Sequence, residues 1–319
     1  MPPAAAVTRR RFLTGLLLSA AMLHPSLAMA GGADDLKFRV GTDGWGSATT
    51  AEVEAVLRSA AAMMWPLFPG RRVEPFVVLR GREGPIVHYQ RNVIGEIVLK
   101  LDTHDRYWCQ YSYQFAHEFC HILCNFDNDW KGNNWFEETM CETASLFVLR
   151  RLAEEWAERP PYASWKPYAP QFRQYAEDVM DSRSQVGSAH LGDFYRRHRR
   201  ELETTPRDRG LNGAMAVVLL GIMEGSPSSW EAVAWLNSSP SPPGESFPAY
   251  LLKWHTAVPP RHQPFVEEII RRFDLPPPAP PAFPATSSPS KPSARTEEAE
   301  TSPAALPSIA SPPARISAD

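Results

Sequence analysis

The pattern of hydrophobic and polar positions changes about one third of the way along the chain. Before Asp105 the hydrophobic residues fall in short runs that favour β-strands and are separated by turn-forming residues. In the run 96–101, Ile97, Leu99 and Leu101 share one face at a period of two residues, which is typical of a strand with one buried side. The predicted strands span 38–40, 73–79, 86–90 and 96–101.

Helical spacing dominates the rest of the chain, and one helix lies among the strands. Thr49 or Thr50, followed by Glu52, has the pattern of a capping box and predicts a helix that ends near Met64. The later helices are predicted at about 107–126, 135–158, 165–181, 191–203, 211–224, 228–237, 247–257 and 263–274. The fold class that follows is α+β, with a small N-terminal β-sheet followed by a mainly helical domain.

The N-terminal segment 1–30 has the pattern of an export signal. A charged string, TRRRFL at 8–13, precedes a short apolar stretch and an A-x-A cleavage pattern at 28–30. The string resembles the twin-arginine export signal, which carries proteins that have already folded; an ordinary secretion signal is the alternative. Either signal predicts a periplasmic or secreted protein. The apolar stretch is too short for a comfortable membrane span, so we expect no stable span in the mature chain.

The C-terminal segment 276–319 holds 12 of the 32 prolines and no tryptophan. Such a composition buries too little apolar surface to offset the entropy of ordering, and it predicts a disordered tail. The expected organisation is therefore a signal peptide at 1–30, one domain at 31–275 and a tail at 276–319.

Composition excludes several classes of protein. Hydrophobic residues make up 43% and charged residues 22% of the chain, which is typical of a globular body. Lys and Arg number 33 against 36 Asp and Glu, and no basic block lies outside the N-terminus, so we expect no nucleic-acid partner. Four cysteines are too few for a scaffold built on disulfides.

One motif carries chemistry: His117-Glu118-Phe119-Cys120-His121 matches H-E-x-x-H. Four residues along a helix turn about 400°, so the two histidines lie about 40° apart on one face. Two imidazoles one turn apart can bind one Zn²⁺, and Glu118 can then take a proton from a metal-activated water. The alternative is a pair of core histidines. An apolar stripe on another face favours the zinc interpretation, because it would turn the histidines toward a different surface; it comprises Trp108, Tyr111, Phe115, Phe119, Ile122 and Phe126.

The next predicted helix begins with three acidic residues, Glu137, Glu138 and Glu142. Glu138 and Glu142 are one turn apart, so they can supply a third zinc ligand and a carboxylate that accepts a hydrogen bond from a ligand histidine. Acidic residues in a first turn also suit the helix dipole, which is the alternative explanation.

HEFCH followed by WFEETMCE resembles the gluzincin metallopeptidases over residues 107–142. The resemblance implies a zincin-like fold in which His117, His121 and Glu138 bind zinc and Glu118 is the general base. It also implies that Glu142 orients the first histidine. Glu137 stands where the family usually has Asn, and Glu142 where it usually has Asp. Glu137 or Glu142 as the ligand therefore stays open.

The resemblance implies two further features. In this family an edge strand before the active helix pairs with an extended peptide substrate. Residues 96–101 occupy that position in this sequence. The alternative is that 96–101 form an interior strand of the sheet. A downstream Tyr or His usually stabilises the oxyanion. Spacing does not select among the residues of the right type, which are Tyr162, Tyr168, Tyr175, His190, Tyr195 and His198.

Two functions of different classes follow from these residues. The first is an exported zinc-dependent metallopeptidase that acts on a peptide or protein substrate. The second is a zinc-stabilised, non-catalytic binding or scaffold protein of the cell envelope, whose fourth ligand position is closed, for example by Cys124. Cys120 or Cys124 can also form a disulfide with Cys141, or the three can be small buried side chains.

Overall fold

The computed structural model describes residues 36–125, 132–183 and 191–278. All of these residues belong to one compact unit, which ends at Pro278. The expected export signal at 1–30 lies outside the described residues, as do Phe126, His190 and the expected tail from 279 onward.

Among the described residues, four short strands form a mixed sheet in the first third of the chain. They are β1 (Phe38–Val40), β2 (Phe76–Arg80), β3 (Ile86–His88) and β4 (Ile97–Leu101), in the spatial order β1-β2-β4-β3. β1, β2 and β4 are parallel, whereas β3 runs antiparallel to β4. Ile97, Leu99 and Leu101 are buried and alternate with half-buried residues, as their spacing predicts.

The expectation that residues 96–101 form the edge strand is wrong. β4 pairs with β2 on one side and with β3 on the other, so β3 is the edge. The cause is the turn between β3 and β4, in which the Asn92 side chain accepts hydrogen bonds from the N–H groups of Ile94 and Glu96 and Gly95 adopts a φ of 83°. This turn folds the chain back on itself and places the earlier strand outside the later one.

In the part of the chain that the structure describes, eight α-helices follow the predicted pattern closely. The capping box of the first is formed by Thr49 and Glu52. The run 165–181 begins as a 3₁₀ segment, Ala163–Tyr168, and the run 228–237 is a 3₁₀ helix, Pro227–Trp235. The α-helices are α1 (Thr50–Met64), α2 (Trp108–Leu123), α3 (Asn134–Glu158), α4 (Ala169–Arg183), α5 (Leu191–Thr204), α6 (Arg209–Gly225), α7 (Phe247–Ala257) and α8 (Gln263–Arg272). A small N-terminal sheet followed by helices confirms the α+β class.

The sheet packs against the apolar stripe of α2. Phe115 and Phe119 stack with ring centroids 5.4 Å apart, and Phe76 of β2 lies 5.9 Å from Phe119. All three rings are completely buried, and burying rings of this size is a large favourable term in folding. Because this face of α2 is fixed to the sheet, the face that carries the two histidines is turned elsewhere. Within the described residues, no helix is long and apolar enough to cross a membrane.

Candidate metal centre

α2 and α3 bring the predicted ligands His117, His121 and Glu138 together. Oε2 of Glu138 lies 3.2 Å from Nε2 of His117 and 3.7 Å from Nε2 of His121. The centroids of the two imidazole rings are 5.1 Å apart. Only 10–12% of each of these side chains is exposed. Two imidazole nitrogens therefore face one carboxylate oxygen at the surface of the core.

The second nitrogen of each histidine faces an acid of its own. Nδ1 of His121 lies 2.7 Å from Oε1 of Glu137, and Nδ1 of His117 lies 3.8 Å from Oε1 of Glu142. Glu137 and Glu142 thus lie on the side of the rings opposite to Glu138. These two acids lie beside the Nδ1 atoms, and of the three acids Glu138 alone faces both Nε2 atoms.

Both orienting acids are held by further contacts. The amide of Asn237 donates a hydrogen bond of 2.6 Å to Oε2 of Glu137, and the hydroxyl of Tyr250 donates to Oδ1 of Asn237. Glu142 accepts hydrogen bonds from the Tyr113 hydroxyl and, at 2.6 Å, from the guanidinium of Arg183. Outer contacts of this kind fix the ring orientation of metal-binding histidines.

Glu118 points toward the edge strand. Its side chain is buried, and the backbone N–H of Val87 in β3 lies near enough to the carboxylate to favour its charged form. Burial raises the pKa of Glu118, although the neighbouring His117 and His121 charges oppose this shift. A carboxylate with a raised pKa can exchange a proton closer to neutral pH than an exposed glutamate.

The charges of the cluster control its protonation. Burial lowers the pKa of His117 and His121, but the facing carboxylates outweigh this effect, so the pKa of His117 is raised and that of His121 is raised well above its usual value. Burial raises the pKa of Glu138, yet its contacts with both histidines hold this pKa well below the usual range. Without a cation, the facing carboxylates therefore favour protonated imidazoles.

Cys141 is a second donor near the histidines. Its sulfur and one nitrogen from each of His117 and His121 lie within 4.8 Å of one another, so this buried group could bind a metal. Cys141 is completely buried and does not line the cleft described below, whereas Glu138 does. Access for a ligand therefore favours Glu138 as the third donor.

A cleft of about 550 Å³ opens beside this cluster. Its walls come from the turn after β2, from β3, from α2 and α3, and from the start of α6. His117, Glu118, His121 and Glu138 all line it. Its other charged lining side chains are mostly cationic: Arg80, Arg82, Lys100, Arg207 and Arg209, with Glu83 and Glu142 as acids.

None of the described Tyr and His residues that qualify by type as oxyanion stabilisers lines this cleft. Tyr168 and Tyr175 line a different pocket, Tyr195 stacks on Trp135, and His198 contacts Glu201 on the surface. Tyr162 is 42% exposed and also lies outside the cleft lining.

Tyr89 and Arg207 occupy the cleft instead. Nε of Arg207 lies 3.5 Å from Oε1 of Glu138. Burial raises the pKa of Tyr89, and the charge of Glu137 adds to the shift. No sequence spacing could have selected these two residues, because only the tertiary fold brings them to the cleft.

The arrangement offers two imidazoles and a carboxylate to a divalent cation, with a buried carboxylate and a cleft beside them. Comparison with protein-family models, curated proteins and solved structures found no match to this chain. Function is therefore inferred from the residues themselves.

Proposed function

We propose that this protein is an exported zinc-dependent metallopeptidase that hydrolyses peptide bonds in the cleft beside β3. The observation that carries the proposal is the convergence of His117, His121 and Glu138, with both Nε2 atoms facing one oxygen of Glu138. Two imidazoles and one carboxylate are the donor set of many catalytic zinc sites, which keep a further position open for water or substrate. The resemblance of 107–142 to gluzincins supports the same assignment.

In this proposal His117, His121 and Glu138 hold the ion. Zn²⁺ bound there would act as a Lewis acid that acidifies a water molecule and polarises the scissile carbonyl. Glu118 takes a proton from the water and later delivers it to the leaving amine. Tyr89 and Arg207 line the same cleft and can donate hydrogen bonds to the carbonyl oxygen as it becomes negative.

The edge strand supports a peptide as the substrate. β3 is at the end of the sheet order, and an extended peptide can add to such an edge through main-chain hydrogen bonds. Val87 of this strand lies near Glu118, so a peptide on β3 would lie beside the proposed base.

A non-catalytic zinc protein would need a closed site. Cys124, which the sequence offered as the closing ligand, lies in a group with Cys120 and Cys141. Cys141 is the cysteine near the histidines, so it is the one that would close a structural site. The opening of the three ligands to the cleft favours the peptidase.

The purified mature protein is expected to contain about one zinc per chain and to lose hydrolysis when zinc is removed. The substrates to screen are casein, peptidoglycan fragments and fluorogenic peptides, including acidic ones, each with and without a chelator. Readdition of zinc should restore both the activity and the melting temperature, because an ion that binds only the folded state stabilises it. A purified protein that contains less than about a tenth of an equivalent of zinc, and that added zinc does not stabilise, would refute the proposed zinc site.

Zinc affinity is expected to increase steeply with pH. Because the pKa of both histidines is raised, zinc must displace their protons, and each displaced proton strengthens binding by about tenfold per pH unit. Chelator competition at pH 6, 7 and 8 measures this slope. An affinity that does not change over this range would contradict the protonated cluster.

The stability of the zinc-free protein should depend on pH in the opposite sense. The raised pKa values of the histidines stabilise the fold fully below their ordinary value of 6.5, and this contribution is lost as the pH rises through the raised values. The lowered pKa of Glu138 contributes above the ordinary value of 4.5 and is lost as the pH falls through the lowered one. Zinc should therefore raise the melting temperature more at pH 8 than at pH 6.

A further inference from the structure

Three thiols lie together in the core next to the proposed zinc ligands. Cys120 is on α2, Cys124 lies at its C-terminal end, and Cys141 is on α3, three residues after Glu138. All three side chains are completely buried, and their sulfur atoms lie within 4.8 Å of one another. All are free thiols. The proposed hydrolysis makes no use of them.

We propose that Cys120, Cys124 and Cys141 form a second metal site, which binds a soft d¹⁰ ion, Cu(I) above all, and joins α2 to α3. Thiolate sulfur selects soft ions such as Cu(I) and zinc over hard ones. Structural zinc sites almost always have four ligands, whereas only three sulfur donors converge among the described residues. A trigonal thiolate site is suited to Cu(I).

The sulfur positions fit metal binding better than a disulfide. A metal–sulfur bond of about 2.3 Å places two sulfurs about 4.0 Å apart in a trigonal site and about 3.8 Å apart in a tetrahedral one. Sγ of Cys120 lies 3.9 Å from Sγ of Cys124, so this pair needs no movement. A disulfide would require its two sulfurs to approach to about 2.05 Å. Pairs with Cys141, at no more than 4.8 Å, need at most about 1 Å of movement to reach metal-site spacing.

A half-buried arginine supplies charge to this cluster. The charge of the Arg71 guanidinium interacts with the Cys124 sulfur, and Nη2 of Arg71 donates a hydrogen bond to Oδ1 of Asn125. Nε of Arg71 is buried without a hydrogen-bond acceptor in the described part of the chain. Three thiolates around Cu(I) carry two net negative charges, which are costly to bury unless they are paired. Arg71 would offset one of them.

The second site would act on the first through the helices that they share. Because the three thiols come from both helices, an ion bound to them would fix the spacing between α2 and α3. The site also lies close to the histidines, since the sulfur of Cys141 lies within 4.8 Å of a nitrogen of each. These helices carry every proposed zinc ligand. The thiol site does not depend on peptide hydrolysis, and it can be tested whether or not the protein is a peptidase.

The test is a Cu(I) titration of the full chain, reduced, loaded with zinc and kept free of oxygen. Zinc is loaded first so that the histidines are occupied. We expect one further equivalent of Cu(I) to bind in competition with a Cu(I) chelator, and X-ray absorption of the wild type to show sulfur-only coordination. This measurement on the wild type does not depend on the folding of any variant.

Cys124→Ser is expected to weaken Cu(I) binding by at least about 100-fold, because it removes one of three ligands. The matched control is Cys109→Ser, which alters another buried cysteine of α2 outside the cluster and should leave Cu(I) binding unchanged. Circular dichroism and zinc content check the fold of both variants.

Three results would overturn the proposal. The first is a wild type that binds no Cu(I) beyond the zinc site, including one whose cysteines return to a disulfide after reduction. The second is equal Cu(I) binding by the Cys124→Ser and Cys109→Ser variants. The third is a nitrogen-bound copper in the absorption spectrum. Failure of peptide hydrolysis alone would refute only the proposed function.

Discussion

Replacing Glu118 with glutamine is expected to abolish peptide hydrolysis while leaving zinc and the fold in place. Among the described residues no hydrogen bond or ion pair joins Glu118 to His117, His121 or Glu138, whose charges act on it only from a distance. A neutral glutamine amide is of nearly the same size as the carboxylate and is cheaper to bury. The substitution therefore removes the proton acceptor and little else.

General acid–base catalysis by one positioned side chain contributes about 10²- to 10⁴-fold, so kcat/KM should fall by that factor. Zinc content and the circular dichroism spectrum are measured on the same preparation. The matched control is Glu177→Gln, the same chemical change at an exposed position of α4, which should retain full activity. An activity of Glu118→Gln within about threefold of the wild type would exclude Glu118 as the base. A wild type that binds zinc but cleaves nothing would instead favour the scaffold class.

Local sequence signals were sufficient to predict most of the elements. The capping box at Thr49 and Glu52 marked the start of α1, and the helical stripe of aromatic residues identified the buried face of α2. These signals depend on residues that are only a few positions apart, so the tertiary fold does not change the elements that they predict. The predicted helical run 228–237 is the 3₁₀ helix Pro227–Trp235, and the spacing does not indicate its type, because period alone hardly separates three residues per turn from 3.6 over nine residues.

The order of the strands in the sheet could not be predicted from such local signals. The run 96–101 alternates like any half-buried strand, and nothing in it records whether one or both edges are paired. That depends on the turn at Asn92 and Gly95, which returns β3 to the outside of β4. The lining of the cleft could not be predicted from the sequence either, because Tyr89 and Arg207 are 118 positions apart and only the tertiary fold brings both to the cleft.

The resemblance gives Glu138 as the third ligand and Glu142 as the acid that orients the first histidine, but it leaves Glu137 or Glu142 open as the ligand and gives Glu137 no role. Glu137 and Glu138 are neighbours in the sequence, and a helix turns about 100° between them. This rotation takes Glu138 to the Nε2 atoms and Glu137 to the far side of His121, where Asn237 holds it. Asn237 lies 100 residues away, so no local pattern could have indicated which acid it binds.

Glu138→Gln and Glu137→Gln are therefore expected to differ strongly, although they make the same change one residue apart. Glu138→Gln replaces the carboxylate that faces both Nε2 atoms, and zinc affinity should fall by more than about 1000-fold. Glu137→Gln removes only the acid that orients His121, and losses of about 10- to 100-fold are typical of such groups.

Chelator competition at a fixed pH measures both zinc affinities, and Glu177→Gln again controls for the loss of one negative charge. The two variants should also differ in the pKa values of their histidines in the zinc-free protein. Glu138→Gln takes a carboxylate away from both histidines, so their pKa values should fall and zinc binding should depend less on pH. A larger loss of zinc affinity in Glu137→Gln than in Glu138→Gln would make Glu137 the ligand. The structure favours the opposite result, because both Nε2 atoms face Glu138 while Glu137 is bound to Nδ1 of one ring.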